Sequence, residues 1–209
     1  SPQVDNPRSM GKIVIYGTSI QQGGCASRTG MVPSAMIQRD FNLECVNLAT
    51  SGQARMDFYI AEAMASIEDA ICYVIDPVPN CTKDRCDTAT YDFIKILRTM
   101  RPEVPIVMVE GLMYPYTRHD SYHAEYLPQK NECFRRGFDQ HVAENPKGMY
   151  YMTHEGQTGP DMEGTVDGVH LTDYGFRAYA DLLEIVVKEA LDDTDVDYDV
   201  EPAYNVVRK

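Results

Sequence analysis

No apolar run in the sequence approaches the roughly 20 residues that a helix needs to cross a bilayer, so no membrane insertion is expected. No basic segment followed by an apolar one opens the chain, and no signal peptide is read in this stretch. The chain begins Ser1-Pro2-Gln3 without an initiator methionine, which fits a mature or excised fragment and takes weight from that absence. There is no Cys-x-x-Cys pair, which excludes zinc ribbons and thioredoxin-type redox motifs. The cysteines are Cys25, Cys45, Cys72, Cys81, Cys86 and Cys133, too few for a disulfide framework in a chain of 209 residues. Cys45 and Cys72 fall in strand-like apolar runs and read as buried thiols. Cys81 and Cys86 are spaced to bridge a short loop if the compartment is oxidising. Positive charge is scarce: 19 Lys and Arg stand against 32 Asp and Glu, a formal charge of −13, partly concentrated in 191–199. Such an excess repels phosphate backbones and anionic lipid. Nucleic acid and membrane surfaces are therefore not expected as partners, and neutral substrates such as glycans suit the chain better. Internal repeats and low-complexity segments are also missing.

What is present describes an ordinary globular domain, 44% hydrophobic and 24% charged, long enough for one sizeable core. Strand-like and helix-like stretches alternate five times. The strands are read at 12–17, 43–49, 70–76, 105–111 and 149–152, from short apolar runs rich in β-branched residues. Helical spacing is read at 30–41, with Pro33 in its first turn, at 57–70, 90–100 and 129–143, and at 172–191 behind the N-cap Thr172. The stretch 112–128 is read as irregular. This alternation predicts an α/β fold, a three-layer α/β/α sandwich around a five-stranded parallel sheet. Residues 1–10 read as a linker or lead-in, 11–191 as the folded domain and 192–209 as an acidic tail. Right-handed crossovers gather the loops that leave the strands at one edge. Those loops carry Ser19, Gly52, Asn80, the tyrosines of 112–128, and Asp167 with His170.

That set contains what acyl transfer to water requires: a nucleophile, a base, an orienter for the base, and donors for an oxyanion. Ser19 leaves the first strand through the corner Gly17-Thr18-Ser19. His170 is the candidate base, and Asp167, three residues earlier across Gly168, can hold its other ring nitrogen. The backbone N–H groups of Ser19 and Gly52 and the side-chain amide of Asn80 are candidate oxyanion donors. A Gly-x-Ser corner alone is a weak signal, and Gln21 breaks any Gly-x-Ser-x-Gly elbow. Taken one at a time, each residue also has a purely structural account as a turn or cap residue. Their joint order carries the reading.

In that order the chain resembles the SGNH (GDSL-like) hydrolases, whose blocks read here Gly17-Thr18-Ser19-Ile20, Ser51-Gly52, Pro79-Asn80 and Asp167-Gly168-Val169-His170. The resemblance runs from about Lys12 to Leu191. The opening Tyr16-Gly17-Thr18-Ser19-Ile20-Gln21-Gln22-Gly23-Gly24-Cys25 looks closest to a bacterial branch of acylhydrolases linked to glycan breakdown. It implies a flavodoxin-like fold, a catalytic Ser19–His170–Asp167 triad, and an oxyanion hole of Ser19, Gly52 and Asn80. It implies no metal or organic cofactor, and a periplasmic or secreted location. The chain departs from the family pattern in Thr18 where aspartate is usual, in Gln53-Ala54-Arg55 where an asparagine usually follows Gly52, and in Cys81 after Asn80. None of these removes a catalytic atom.

The expected reaction is serine-dependent removal of a small acyl group, acetyl in the first instance, from a carbohydrate or similar ester. The alternatives are a lipase- or thioesterase-type acylhydrolase and a carbohydrate-binding protein whose site has lapsed. Tyr114, Tyr116, Arg118 and His119 are candidate substrate contacts at the cleft rim, with Tyr122 and Tyr126 as further aromatic surface. His119 and His123, flanking Asp120, form a competing metal-ligand pattern if that segment is helical, but Pro115, Thr117 and Ser121 argue against a helix there.

Overall fold

The computed structural model describes residues 11–196 and residue 198; the predicted linker 1–10 and most of the acidic tail lie outside the described residues. The described chain forms one parallel five-stranded sheet: β1 (Lys12–Gly17), β2 (Glu44–Asn47), β3 (Ala70–Asp76), β4 (Ile106–Val109) and β5 (Met149–Met152). Their order is β2-β1-β3-β4-β5, the flavodoxin-like arrangement, in which ligands bind where the strand order reverses, between β1 and β3. The register places Gly17 beside Asp76 at that point.

The apolar runs of the central strands are continuous because both faces of the sheet are covered. Ile13 and Ile15 of β1, Cys72 and Val74 of β3, and Val107 and Val109 of β4 point into one core, filled from α2 (Pro33–Phe41) and α6 (Asp173–Asp192). The alternate residues Val14, Tyr16, Tyr73, Ile75, Ile106 and Met108 point into the other. That second core is filled from α3 (Phe58–Ala65), α4 (Lys83–Met100) and α5 (Ser121–Glu144). The two-residue period of a strand thus divides each run between two layers.

β1, β3 and β5 have the predicted bounds, and Thr172 caps α6 by accepting from the Gly175 N–H at 3.2 Å. Other boundaries differ. α4 begins at Lys83, seven residues before the predicted start. The Thr82 hydroxyl accepts from the Arg85 N–H at 3.1 Å, and Cys86 and Ala89 extend its buried face. α5 begins at Ser121, where an irregular segment was expected, and carries Pro128 inside it. Asp120 caps it by accepting from the His123 N–H at 3.1 Å. The helix tolerates Pro128 because the turns on either side are anchored. Beyond it, buried Asn131 accepts from the Gly111 N–H and donates to the Gly111 carbonyl, both at 2.9 Å. Packing of this kind outweighs the lost backbone bond. α3 ends at Ala65, short of the predicted residue 70, where Ser66 closes it by bonding its hydroxyl to the Ala63 carbonyl at 2.6 Å.

Candidate active site

Ser19 sits on the first turn of α1 (Ser19–Gln22), a four-residue helix directly after β1. Thr18, at the family's usual aspartate position, is fully buried and caps this helix through its hydroxyl, which accepts from the Ile20 N–H at 3.3 Å. A threonine therefore supplies the capping oxygen an aspartate would. Gly23, at φ +90°, ends the helix in the left-handed region, and the Gly24 N–H returns to the Ser19 carbonyl at 2.7 Å.

Across 151 residues of sequence, Ser19 Oγ lies 3.0 Å from His170 Nε2. His170 Nδ1 lies 2.7 Å from Asp167 Oδ2, while Asp167 Oδ1 accepts from the backbone N–H groups of Val169 at 2.9 Å and His170 at 2.7 Å. The bond from the His170 ring, followed by those two backbone donors, holds the Asp167 carboxyl well below the usual carboxylate range. Gly168, at φ +87°, makes the tight turn these three bonds need. The turn is closed from outside by a bridge between Thr165 and Leu171 and by the Val166 N–H on the His170 carbonyl at 2.8 Å.

The loop after β2 is tied to the same corner. Its Thr50 N–H bonds the Gly17 carbonyl at 2.9 Å, and the Ser51 N–H bonds Gln22 Oε1 at 3.1 Å. Gly52 adopts φ +70° with open space where a Cβ would stand. Asn80 ends a 3₁₀ turn (Val78–Asn80) after β3, and its Oδ1 accepts from the Ala54 N–H at 3.3 Å. With Oδ1 so engaged, the amide nitrogen is left to donate elsewhere. Cys81 and Cys86 are free, buried thiols, and Cys81 Sγ contacts the Ala54 carbonyl at 3.6 Å.

Of the rim residues, Tyr114 is buried in the core and stacks on Tyr116, with ring centroids 5.5 Å apart. Tyr116 is half-buried beside the Asp167–His170 turn, its Cδ1 3.3 Å from where a Gly168 Cβ would stand. Of the tyrosines expected at the cleft rim, Tyr114 is thus withdrawn from solvent. Arg118 is exposed and reaches Met162 Sδ at 3.3 Å. His119 is exposed, whereas the His123 ring is bonded by Asp120 Oδ2 at 2.6 Å. The Tyr126 hydroxyl accepts from the Lys83 N–H at 3.2 Å, and exposed Tyr122 stacks on its ring.

Sequence reasoning missed a buried polar cluster beneath α1. Gln21 Nε2 donates to Asp76 Oδ2 at 3.1 Å and approaches Tyr179 Oη at 2.6 Å, and the Tyr179 hydroxyl donates to the same Asp76 oxygen at 2.8 Å. All three residues are completely buried, and burial pushes the Asp76 carboxyl up to about 7. The cluster joins the helix that carries Ser19 to the end of β3 and to α6. The one hint in the sequence was an acidic residue closing the apolar run 70–76.

Residues 10–188 match the model of the GDSL-like lipase/acylhydrolase family. A candidate GDSL-like lipase from Bacteroides ovatus ATCC 8483 superposes with a TM-score of 0.83 at 31% identity, covering 87% of this chain and 54% of that one. A family two carbohydrate esterase from Clostridium thermocellum, solved with cellohexaose, gives a TM-score of 0.66 at 16% identity over 88% of this chain and 65% of that one. A carbohydrate acetylesterase family member from Sinorhizobium meliloti gives 0.58 at 15% identity, over 87% and 99% of the two chains. The chain thus spans about half the length of the Bacteroides protein, and the two esterases share its fold. No curated protein matched the sequence.

Proposed function

Because this chain belongs to the GDSL-like lipase/acylhydrolase family, we propose that it is a serine-dependent carboxylic ester hydrolase that removes a small acyl group, acetyl in the first instance, from a carbohydrate. The observation that carries this reading is the 3.0 Å approach of Ser19 Oγ to His170 Nε2, with Asp167 on the other ring nitrogen at 2.7 Å. In the proposed mechanism Ser19 Oγ attacks the acyl carbonyl while His170 Nε2 takes its proton. Asp167 fixes the tautomer that leaves Nε2 free and stabilises the imidazolium that results. The N–H groups of Ser19 and Gly52 and the Asn80 amide receive the oxyanion, each such donor being worth roughly 2.7–4 kcal/mol of barrier. Collapse expels the alcohol, which takes the proton from His170. Water, deprotonated by the same ring, then releases the acid and restores Ser19.

A carbohydrate as the alcohol is supported by the acidic character of the chain, by the half-exposed Tyr116 ring beside the site, and by the two carbohydrate esterases that share its fold. The test is turnover of p-nitrophenyl acetate by the wild type and by Ser19→Ala. Loss of a side chain that is only half-buried leaves the fold intact, and the rate falls by about 10⁴-fold or more. A folded Ser19→Ala protein with the wild-type rate ends the assignment. A panel of acetylated sugars and acetylated xylan beside long-chain acyl esters reads the substrate class, and preference for long chains would replace the carbohydrate reading by a lipase one.

A further inference from the structure

One residue of the loop after α1 has no part in the proposed acyl chemistry. Cys25 is an exposed free thiol, six residues after Ser19, held at φ +72° where the chain folds back on itself. Its sulfur joins Asp167 and His170 in a set of three ligand-type groups whose ligand atoms lie within 4.8 Å of one another. Among the described residues no other such set forms; the histidines at 119 and 123 do not contribute to one.

We propose that Cys25, His170 and Asp167 form a site for a thiophilic divalent cation, zinc in the first instance, that switches the proposed hydrolase off. Thiolate, imidazole and carboxylate are together a zinc donor set, with water in the fourth position. In a tetrahedral site with bonds of about 2.0–2.3 Å, ligand atoms stand about 3.3–3.7 Å apart. The present spacing, at most 4.8 Å, closes to this by at most about 1.5 Å, while His170 Nδ1 and Asp167 Oδ2, now 2.7 Å apart, open by about 0.6–1 Å if both bind the ion; both adjustments are within reach of side-chain rotation for two exposed residues and one half-buried ring. The thiol releases its proton to solvent and binds as thiolate. With the Asp167 carboxylate it neutralises the charge of the ion, and a chain of formal charge −13 attracts cations to begin with.

The inhibitory consequence rests on the hydrolase reading; the binding site does not. His170 Nε2 bonds Ser19 and Nδ1 bonds Asp167. An ion on either nitrogen displaces one of those bonds, so zinc and the Ser19–His170–Asp167 relay exclude each other.

The experiment titrates zinc into EDTA-treated, dialysed protein against a chromophoric chelator, with cobalt as a spectroscopic substitute. Wild type, Cys25→Ala and Cys25→Gly are compared. The glycine variant adopts φ +72° without strain, so it guards against misfolding of the alanine one. Wild type is expected to bind one equivalent and to show a thiolate-to-cobalt charge-transfer band. Both variants lose the band and bind at least about tenfold more weakly. The ratio of p-nitrophenyl acetate rates with and without zinc, taken within each protein, falls only in the wild type. Equal zinc affinity in wild type and Cys25→Gly, or a cobalt complex without the thiolate band, overturns the site. If zinc binds through Cys25 while the zinc-free wild type hydrolyses no ester, the metal site stands and the hydrolase reading falls. If the esterase is active and binds no zinc, the reverse holds.

Discussion

Replacing Asn80 by aspartate keeps an acceptor and removes a donor, which separates two jobs this side chain is proposed to do. Its Oδ1 accepts from the N–H of Ala54, a residue with no exposed surface, at 3.3 Å. Its amide nitrogen is the proposed oxyanion donor. Asn80→Asp preserves the first bond and places a carboxylate oxygen where the second donor was. Asn80→Ala removes both and leaves the buried Ala54 N–H unsatisfied. An unsatisfied buried donor costs about 1–3 kcal/mol, and because this bond is long and partly buried the lower end applies, about 1 kcal/mol. For a domain of this size that lowers the Tm by about 2–4 °C. The lost oxyanion bond removes roughly 2.7–4 kcal/mol of transition-state stabilisation, about 10²–10³ in kcat. In the aspartate variant a negative charge then faces the developing oxyanion, so its kcat falls at least as far. The assay is steady-state hydrolysis of p-nitrophenyl acetate beside thermal unfolding followed by circular dichroism. Both variants should lose kcat with little change in KM, and only Asn80→Ala should lose Tm. An Asn80→Asp protein that keeps kcat within threefold of wild type would refute the donor role.

Three further expectations can be measured. Asp167→Asn keeps acceptors for the backbone N–H groups of Val169 and His170 but loses the charge that offsets the imidazolium. Because the Asp167 side chain is 49% exposed, the fall in kcat should be about 10²–10³, less than the roughly 10⁴ known for a buried triad aspartate; a fall below tenfold counts against its role. Asp76 has its carboxyl raised by burial to about 7 from an ordinary 3.8, so the native state holds a proton that the unfolded chain releases. Its contribution to stability is full below about pH 4 and is lost as pH rises through about 7, on the order of 4 kcal/mol in all. Asp76→Asn should therefore be more stable relative to wild type at pH 8 than at pH 4 in urea titrations, and a pH-independent difference would rule the linkage out. Asn131→Ala strips both hydrogen bonds from the buried Gly111 backbone and should cost about 2–4 kcal/mol, read as a Tm lower by about 5–15 °C; an unchanged Tm would show that the clamp does not hold α5 to the end of β4.

Most of the fold was legible because the signals that specify it are local. The apolar run 70–76 is a buried strand wherever it is placed, and β3 has those bounds. Thr172 caps a helix because its own hydroxyl reaches the Gly175 N–H. Where the reading erred, a distant partner had decided the outcome. Pro128 argues for a boundary by its own chemistry, yet α5 runs through it, with Asp120 capping one end and Asn131 gripping Gly111 beyond it. Tyr114 looked like a rim residue by its neighbours in sequence and is buried by its neighbours in space.

The candidate site divides the same way. By itself the sequence determined which residues could carry acyl chemistry, the alternation that makes a parallel sheet, and the turn that Gly168 permits between Asp167 and His170, since these depend on residue type and spacing within a few positions. Only the tertiary structure decided that Ser19 and His170 lie 3.0 Å apart, that Gln21, Asp76 and Tyr179 close a buried cluster beneath α1, and that Cys25 stands beside the His170–Asp167 pair. Those distances join residues between 55 and 158 positions apart along the chain. They follow from strand order, crossover hand and the packing of α6 against β3, β4 and β5, none of which a local pattern encodes.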